Sequence, residues 1–199
     1  FTNSSSERFI QLLGNHFNEN YTNCISNQIH SNVIVFGSHS QKGTKTDADG
    51  LVGNKYNQNL WIYTADCMPI FFADKKKRLV AAIHCGRRGL EKRIIKKMIN
   101  IFDESGSLKD DVIVAIGPSI SEKHYLIDNK TLYKFHENTS NIRFTKVENE
   151  KKIFYSTDSD STQKEELTNL DLRKYAYMEL VNGKIPSENI DISSLCTYE

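Results

Sequence analysis

Two nearly continuous apolar runs, at residues 60–72 and 79–83, flank one short polar excursion at residues 73–78. Apolar runs of this kind, without regular polar alternation, predict strands that are buried on both faces. The excursion has the length of a hairpin connection and ends in the basic run 75–78, which we expect to be a solvated tip. The sequence therefore predicts a buried β-hairpin near the middle of the chain.

The rest of the chain alternates between strand-like and helix-like segments. This alternation indicates an α/β or α+β class, and the absence of repeats and linkers indicates a single domain. The predicted strands are residues 29–36, 112–116 and 190–196, and residues 126–135 begin as a strand and continue as a helix. The predicted helices are residues 4–17, 90–102 and 170–182, the last of which is capped by Gly183. The predicted loops are residues 38–50 and 144–160.

Composition narrows the range of partners and compartments. The 199 residues carry a net charge of +1, which gives no general attraction to nucleic acid or to membrane surfaces. No apolar run reaches the roughly 20 residues of a membrane span, and no signal peptide is recognisable. The four cysteines are widely spaced and form no CxxC pair, which is typical of reduced thiols. We therefore expect a cytoplasmic globular domain.

A cysteine and a histidine stand at the open end of the predicted hairpin, away from its turn. Cys67 precedes the chain breaker Pro69, and His84 precedes Gly86, so the hairpin would bring the two side chains together. A thiolate beside an imidazole suits a zinc or copper site, or a Cys/His nucleophile pair. Asp66 strengthens this interpretation, because a carboxylate at the end of an apolar strand is costly unless it has a partner.

A metal site would need a third protein ligand, and the residues leave two candidates. His30 lies at the start of another predicted strand, whereas His39 lies in the polar loop 38–50. Two histidines and one cysteine would leave a fourth position open for water, which is the pattern of catalytic rather than structural zinc.

The segment that follows His84 indicates an anion site. Arg87 and Arg88 stand between two glycines and lead directly into a predicted helix, and arginine holds phosphate or carboxylate through two parallel hydrogen bonds. Ser119 follows the Gly117–Pro118 turn at the end of a predicted strand and could line a pocket there. The sequence contains no GxGxxG, P-loop or GxSxG motif, which argues against nucleotide folds of those kinds and against α/β-hydrolases.

Two longer stretches, TADCMPI at 64–70 and VAAIHCGRRGL at 80–90, resemble the signature of the polyphenol oxidase laccase-domain family. Shorter segments that match in order and spacing are QIHS at 28–31, DADGLV at 47–52, AIGPSI at 115–120, LDL at 170–172 and LCT at 195–197. Members of this family are described as zinc-dependent purine nucleoside phosphorylases with adenosine deaminase side activity. The resemblance covers residues 28–197.

The resemblance implies a fold and a ligand set. The fold would be a single α/β domain over residues 1–199, with layered sheets that include a mixed sheet and with helices outside them. It would lack two segments of the family, the glycine-rich N-terminal segment and the strand after the CT element. The family's metal ligands fall on His30, Cys67 and His84, which favours His30 over His39. The expected metal is zinc, with copper as the second choice.

The resemblance also implies a reaction, with purine nucleosides and phosphate as substrates. Phosphate would attack C1′ of the ribose while Arg88 holds that anion, Arg87 acts as a second donor and Ser119 lines the pocket. Water activated at the metal would attack C6 of adenosine for deamination. Asp66 would orient a ligand histidine or relay a proton. The catalytic set is thus Cys67, His84, Asp66 and Arg88.

Three other functions remain as alternatives. A copper-dependent polyphenol oxidase would need several copper centres, for which the six histidines of the chain are too few and too scattered. A metal-free hydrolase or deamidase would use Cys67 as nucleophile and His84 as base. A partner-binding domain would retain the site only as a vestige. Two departures bear on substrate choice: Arg87 stands where the family has tryptophan, and Lys123-His124-Tyr125 stands for Cys-Cys-Tyr.

Overall fold

The computed structural model describes residues 21–37, 46–139, 151–153 and 166–199. Within these residues the strands are β1 Thr22–Ile25, β2 Ile34–Phe36, β3 Gly50–Gly53, β4 Gln58–Trp61, β5 Met68–Asp74, β6 Val80–Cys85, β7 Val112–Ile116, β8 Leu126–Asp128, β9 Lys151–Ile153, β10 Glu166–Asn169 and β11 Ile190–Ile192. Six of them form one mixed sheet in the order β11-β7-β5-β6-β3-β2. The strands β1 and β4 form a parallel pair, and β8-β10-β9 form a third, antiparallel sheet.

The central hairpin is formed by β5 and β6, as predicted. The two strands are antiparallel, and Pro69 lies opposite His84. The predicted strand 60–72 is wrong in extent, because it divides into β4 and the N-terminal part of β5, which belong to different sheets. Between them, the side chain of Gln28 pairs with the backbone N–H and C=O of Tyr63 at 2.7 and 2.8 Å, so this segment bonds to a side chain instead of a neighbouring strand.

Four α-helices accompany the sheets in the described ranges: α1 Arg87–Glu91, α2 Ile94–Glu104, α3 Asn129–Thr139 and α4 Leu172–Asn182. The predicted helix 90–102 is in fact two helices, because Arg93 adopts a left-handed backbone with φ 61°. The Arg93 guanidinium donates to the buried Glu179 of α4 at 2.7 Å, and this ion pair fixes the break. Arg88 therefore lies within α1 and not before the helix.

The hydrophobic core lies between the large sheet and helices α2 and α4. Alternate residues of β5 and β6, including Ile70 and Ile83, point to this side and pack with Met98 and Leu180. The opposite face carries His84 at one end and an apolar groove of about 880 Å³ further along the strands. Phe71, Val80 and Ile113 each expose more than 40% of their surface there. One face of the sheet is thus core, and the other carries the candidate chemistry.

Other predicted boundaries are confirmed or corrected by the strand pairing. The strand 112–116, the strand and helix of 126–135, and the helix ending at Gly183 are confirmed. The predicted strands 29–36 and 190–196 shorten to β2 and β11, and β1, β3, β9 and β10 are additional strands. Strand β9 lies within the predicted loop 144–160, and β3 begins at the last residue of the predicted loop 38–50, so both loop predictions are wrong there. The predicted helix 4–17, His39 and most of the predicted loop 144–160 lie outside the described residues. Among the helices that the structure describes, none is both long and apolar enough to cross a membrane.

Candidate metal centre

Four chain segments end at the same edge of the large sheet. Strand β2 runs parallel to β3, while β6 is antiparallel to both β3 and β5. The N-terminal ends of β2, β3 and β5 therefore meet the C-terminal end of β6. His30 precedes β2, Asp49 precedes β3, Cys67 precedes β5 and His84 lies near the end of β6. The topology thus brings together residues that are far apart in the sequence.

Three metal-ligating side chains converge at this edge. One donor atom from each of His30, Cys67 and His84 lies within 4.8 Å of the others. The Cys67 Sγ is 4.0 Å from His30 Nε2, and the two imidazole rings meet edge to face with centroids 4.8 Å apart. This cluster has the size and the mixed N/S donor chemistry that suit Zn²⁺. His30 occupies the third position of the cluster.

Gly86 allows Cys67 to approach. A Cβ atom at residue 86 would clash with the Cys67 Sγ, so the thiol or its neighbours would have to shift. The same position lies 4.0 Å from a ring carbon of His30. The glycine after His84 is therefore required by the close packing of the cluster, in addition to ending β6.

Asp49 contacts both histidine segments. It is completely buried, and its carboxylate accepts hydrogen bonds from the backbone N–H groups of Ile29, His30 and Ser31 at 3.2, 3.0 and 2.6 Å. It also accepts the Ser31 hydroxyl at 2.7 Å and lies 2.9 Å from His84 Nδ1. The His84 Nε2 atom is therefore the nitrogen left for a metal.

The pKa values of His30 and Cys67 are shifted in opposite directions. Partial burial, followed by the neighbouring His84 and then by Arg88, lowers the pKa of His30, although Asp49 opposes the shift. A lowered pKa favours the neutral imidazole, which is the form that binds a metal. Burial, followed by the charges of Asp66 and Asp49, raises the pKa of the Cys67 thiol. Two carboxylates near a thiol favour a cation at this point, because a bound cation would lower the pKa of the thiol again.

Two further predicted residues lie close by but are engaged with other groups. Asp66 is exposed, and its carboxylate accepts the hydroxyl of Thr197 at 2.9 Å. Ser119 is completely buried, and its hydroxyl accepts from Arg173 at 2.9 Å. The carboxylate that contacts a ligand histidine is therefore Asp49. Proton transfer by Asp66 and substrate contact by Ser119 stay predictions.

The two adjacent arginines have different environments. Arg87 is half-buried, pairs with Glu91 one turn along α1 and lies near the phenol of Tyr125. Arg88 is exposed and close enough to His30 to lower its pKa. Lys92 joins this cationic side of the centre, because its ammonium donates to the His30 carbonyl at 2.8 Å. Arg88 is thus the arginine that remains available to an incoming anion.

Sequence reasoning missed Asp49 as part of the centre. It lies in DADGLV, a segment that carried the resemblance, but was assigned no role. Asp49 directly precedes a buried strand, which is the same signal that singled out Asp66. That signal does not reveal which carboxylate faces a histidine, because the pairing of β3 with β6 decides it.

The sequence matches the family described as "Multi-copper polyphenol oxidoreductase laccase" over residues 4–199. The chain belongs to this laccase family. Its relatives include the "Purine nucleoside phosphorylase slr1573" of Synechocystis sp., which is 27% identical over 182 residues that make up 86% of this chain and 69% of that protein. The "Purine nucleoside phosphorylase YlmD" of Bacillus subtilis is 32% identical over 151 residues, which are 75% of this chain and 49% of that protein.

Solved structures of similar proteins confirm the α/β fold of this laccase-family chain. NMB0706 of Neisseria meningitidis superimposes with a TM-score of 0.74 at 21% identity, covering 98% of this chain and 72% of that one. YlmD of Geobacillus stearothermophilus gives 0.72 at 24% identity, covering 88% and 63%. The chain thus spans between about half and three quarters of the length of these proteins.

Proposed function

We propose that this chain is a metal-dependent purine nucleoside phosphorylase with adenosine deaminase side activity. The observation that carries the proposal is the convergence of His30, Cys67 and His84 beside the exposed Arg88. The names of the relatives supply the substrate class, purine nucleosides and phosphate. Because the chain spans only part of those relatives, its activity as a whole is part of the proposal.

Zinc fits the donor set of the centre. His84 and His30 would contribute Nε2 atoms and Cys67 its sulfur, which leaves one position of a tetrahedron for water or substrate. Bound zinc supplies Lewis acidity and lowers the pKa of a coordinated water. Deamination at C6 requires such chemistry. The pKa of His30 is lowered, so protonation competes less with metal binding than it would at an ordinary histidine.

For phosphorolysis, an oxygen of phosphate forms a bond to C1′ as the bond from C1′ to the purine nitrogen breaks. The purine leaves with the electron pair and takes up a proton. We assign Arg88 to hold the phosphate, since its guanidinium is exposed and planar. We assign Asp66 to proton transfer, because its exposed carboxylate precedes Cys67 and is oriented by Thr197. Arg87, held by Glu91, and the buried Ser119 would line the pocket wall.

Two alternatives have less support. Multi-copper oxidation requires several metal centres, whereas the described residues form one three-donor cluster. A metal-free Cys/His hydrolase requires a thiolate, whereas burial and two carboxylates raise the pKa of Cys67. The four cysteines all lie in the described ranges and form no disulfide with one another, which supports a reducing, cytoplasmic location.

The function can be tested with purified protein, elemental analysis and a panel of nucleosides with and without phosphate. We expect about one zinc per chain, phosphate-dependent release of the purine base, slower phosphate-independent deamination of adenosine, and loss of both activities with a chelator. Base release that does not require phosphate, or full activity in metal-free protein, would contradict the proposal.

The assignment of Arg88 has its own test. Arg88→Lys keeps the charge but removes the two-pronged hydrogen bond, which is worth about 1.5–3 kcal/mol for a charged group. We expect kcat/KM for phosphorolysis to fall about 10- to 100-fold, with zinc content and deamination unchanged. An equal effect of Arg87→Lys with no effect of Arg88→Lys would reverse the two assignments.

A further inference from the structure

We propose that Asp49 is a positioning residue that fixes both histidines of the candidate metal centre through one carboxylate. It would set the proton of His84 on Nδ1 and hold the backbone that carries His30, so that both Nε2 atoms face the same point. The inference rests on the proposed metal-dependent function. Its tests are chosen so that the two can fail separately.

The contact with His84 concerns the tautomer of the imidazole. Asp49 directly precedes β3, whose first residue Gly50 pairs with Ile83 of β6, and the His84 backbone N–H donates to the Asp49 carbonyl at 2.8 Å. The side chains meet at 2.9 Å between Asp49 Oδ1 and His84 Nδ1, and both are buried. A buried carboxylate accepts only, so a neutral His84 must carry its proton on Nδ1. Its Nε2 lone pair then points away from the carboxylate and is available to a metal.

The contact with the His30 segment concerns the backbone. Three successive N–H groups, of Ile29, His30 and Ser31, point at the same carboxylate. Consecutive amides with this orientation form an anion-binding nest, which requires a left-handed residue within it. That residue is His30, whose φ is 55° although it is not glycine. The strained backbone of a candidate ligand is thus held in place by the anion that it surrounds.

Both oxygens of Asp49 are in use. Oδ1 accepts from the His30 amide and contacts His84, while Oδ2 accepts from Ile29 and from the amide and hydroxyl of Ser31. An asparagine has only one accepting oxygen. With its amide nitrogen at the Oδ1 position it would donate to His84 Nδ1 and move the proton to Nε2. With that nitrogen at the Oδ2 position, the N–H groups of Ile29 and of the buried Ser31 would lose their acceptor.

The first experiment compares Asp49→Asn with Asp47→Asn by zinc titration in competition with a chromophoric chelator. Asp47 stands two residues away, is exposed and accepts from Asn27, so it is a matched control. We expect Asp49→Asn to weaken zinc binding about 10- to 100-fold, as the loss of a carboxylate behind a ligand histidine does. Asp47→Asn should leave the affinity unchanged. Wild-type affinity in a folded Asp49→Asn protein would overturn the proposal.

The second experiment measures the His84 tautomer directly and does not depend on any variant folding. In zinc-free wild-type protein at pH 8, long-range ¹H–¹⁵N spectra should show the proton of neutral His84 on Nδ1. A proton on Nε2 would overturn the proposal. In folded Asp49→Asn protein we expect the proton to move to Nε2, or the Ile29 and Ser31 amides to lose exchange protection.

These readouts separate the inference from the proposed function. If wild-type protein binds no zinc, the proposed function fails, and the tautomer still decides whether Asp49 orients His84. If zinc binds and the tautomer is reversed, the proposed function survives and the role of Asp49 is wrong.

Ser31→Ala removes one donor to Asp49 without changing the acceptor, so we expect it to change zinc affinity less than threefold. An effect as large as that of Asp49→Asn would contradict the assignment.

Discussion

The two ends of the β5–β6 hairpin use the same structural feature for different purposes. At each end a buried aspartate accepts consecutive backbone N–H groups. At the turn, Asp74 Oδ1 accepts from Lys76 and Lys77, both at 2.8 Å. At the metal end, Asp49 accepts from the three amides at residues 29–31. Only at the second end does the carboxylate also meet a histidine.

The difference lies in where the donors stand in the sequence. The donors to Asp74 are two and three residues away, so the turn is closed by local chain geometry. The donors to Asp49 are 18 to 20 residues away, and its histidine partner is 35 residues away. A local carboxylate shapes a turn, whereas one that joins three separate segments can hold ligands against each other.

The largest expected effect is the loss of a ligand at the metal end. Cys67→Ala removes one of three donors, which should exceed the roughly 100-fold effect of losing a residue behind a ligand. We expect bound zinc and phosphorolysis to disappear together, as measured by elemental analysis and by assay of the same preparation. Cys196→Ser is the control, since Cys196 lies outside the donor cluster. Activity that persists without zinc would exclude the metal mechanism, and inactive protein with full zinc would favour Cys67 as a nucleophile.

At the turn, we expect an effect on stability and none on the metal. Asp74→Ala removes two hydrogen bonds to the turn, each worth about 0.5–1.5 kcal/mol of unfolding free energy. Asp74→Asn should cost less than about 1 kcal/mol, because a single oxygen accepts both bonds and asparagine retains it. Urea unfolding and zinc titration of both variants would check this. A loss of zinc affinity in Asp74→Asn would break the distinction between the two ends.

The same distinction explains what could be predicted from the sequence. The hairpin, strand β7 and the cap at Gly183 depend on neighbouring residues, and the sequence pattern was sufficient to predict them. The proximity of Cys67 and His84 followed from one local hairpin. The role of Asp49 depends on β2 lying beside β3 and β3 beside β6, and no periodicity carries that information. The break at Arg93 similarly depends on Glu179, which is 86 residues away.

A smaller effect is expected in acid. Burial alone would raise the pKa of both aspartates, but polar neighbours outweigh it: mainly the hydrogen bonds from Ser31 and His84 at Asp49, and at Asp74 the nearby Ser107 hydroxyl and the amides of Lys76 and Lys77. Both pKa values are therefore lowered by folding. Carboxyls of this kind stabilise the fold above their unfolded pKa of about 4, and that contribution is lost as the pH falls through the folded value.

Urea unfolding of zinc-free protein at pH 7, 5 and 3.5 would measure this contribution. We expect the free energy of unfolding of the wild type to fall on acidification, and that of Asp74→Asn to fall less. The remaining decline in Asp74→Asn would include the contribution of Asp49. Identical acid dependence in the two proteins would mean that Asp74 has the same pKa in the folded and unfolded chain.

The smallest expected effect concerns the basic run at the tip. The Lys76 ammonium lies 3.0 Å from Asp111, but the Lys76 side chain is 72% exposed. Exposed pairs of this kind contribute about 0–1 kcal/mol, because water and salt screen the charges. Lys76→Ala should therefore change the urea midpoint only slightly, and less so in high salt, while zinc affinity and phosphorolysis stay at wild-type values. If Lys76→Ala instead weakened phosphorolysis, the tip would take part in binding the anionic substrate. The hairpin would then have two functional ends, and the division between a structural turn and a chemical edge would be wrong.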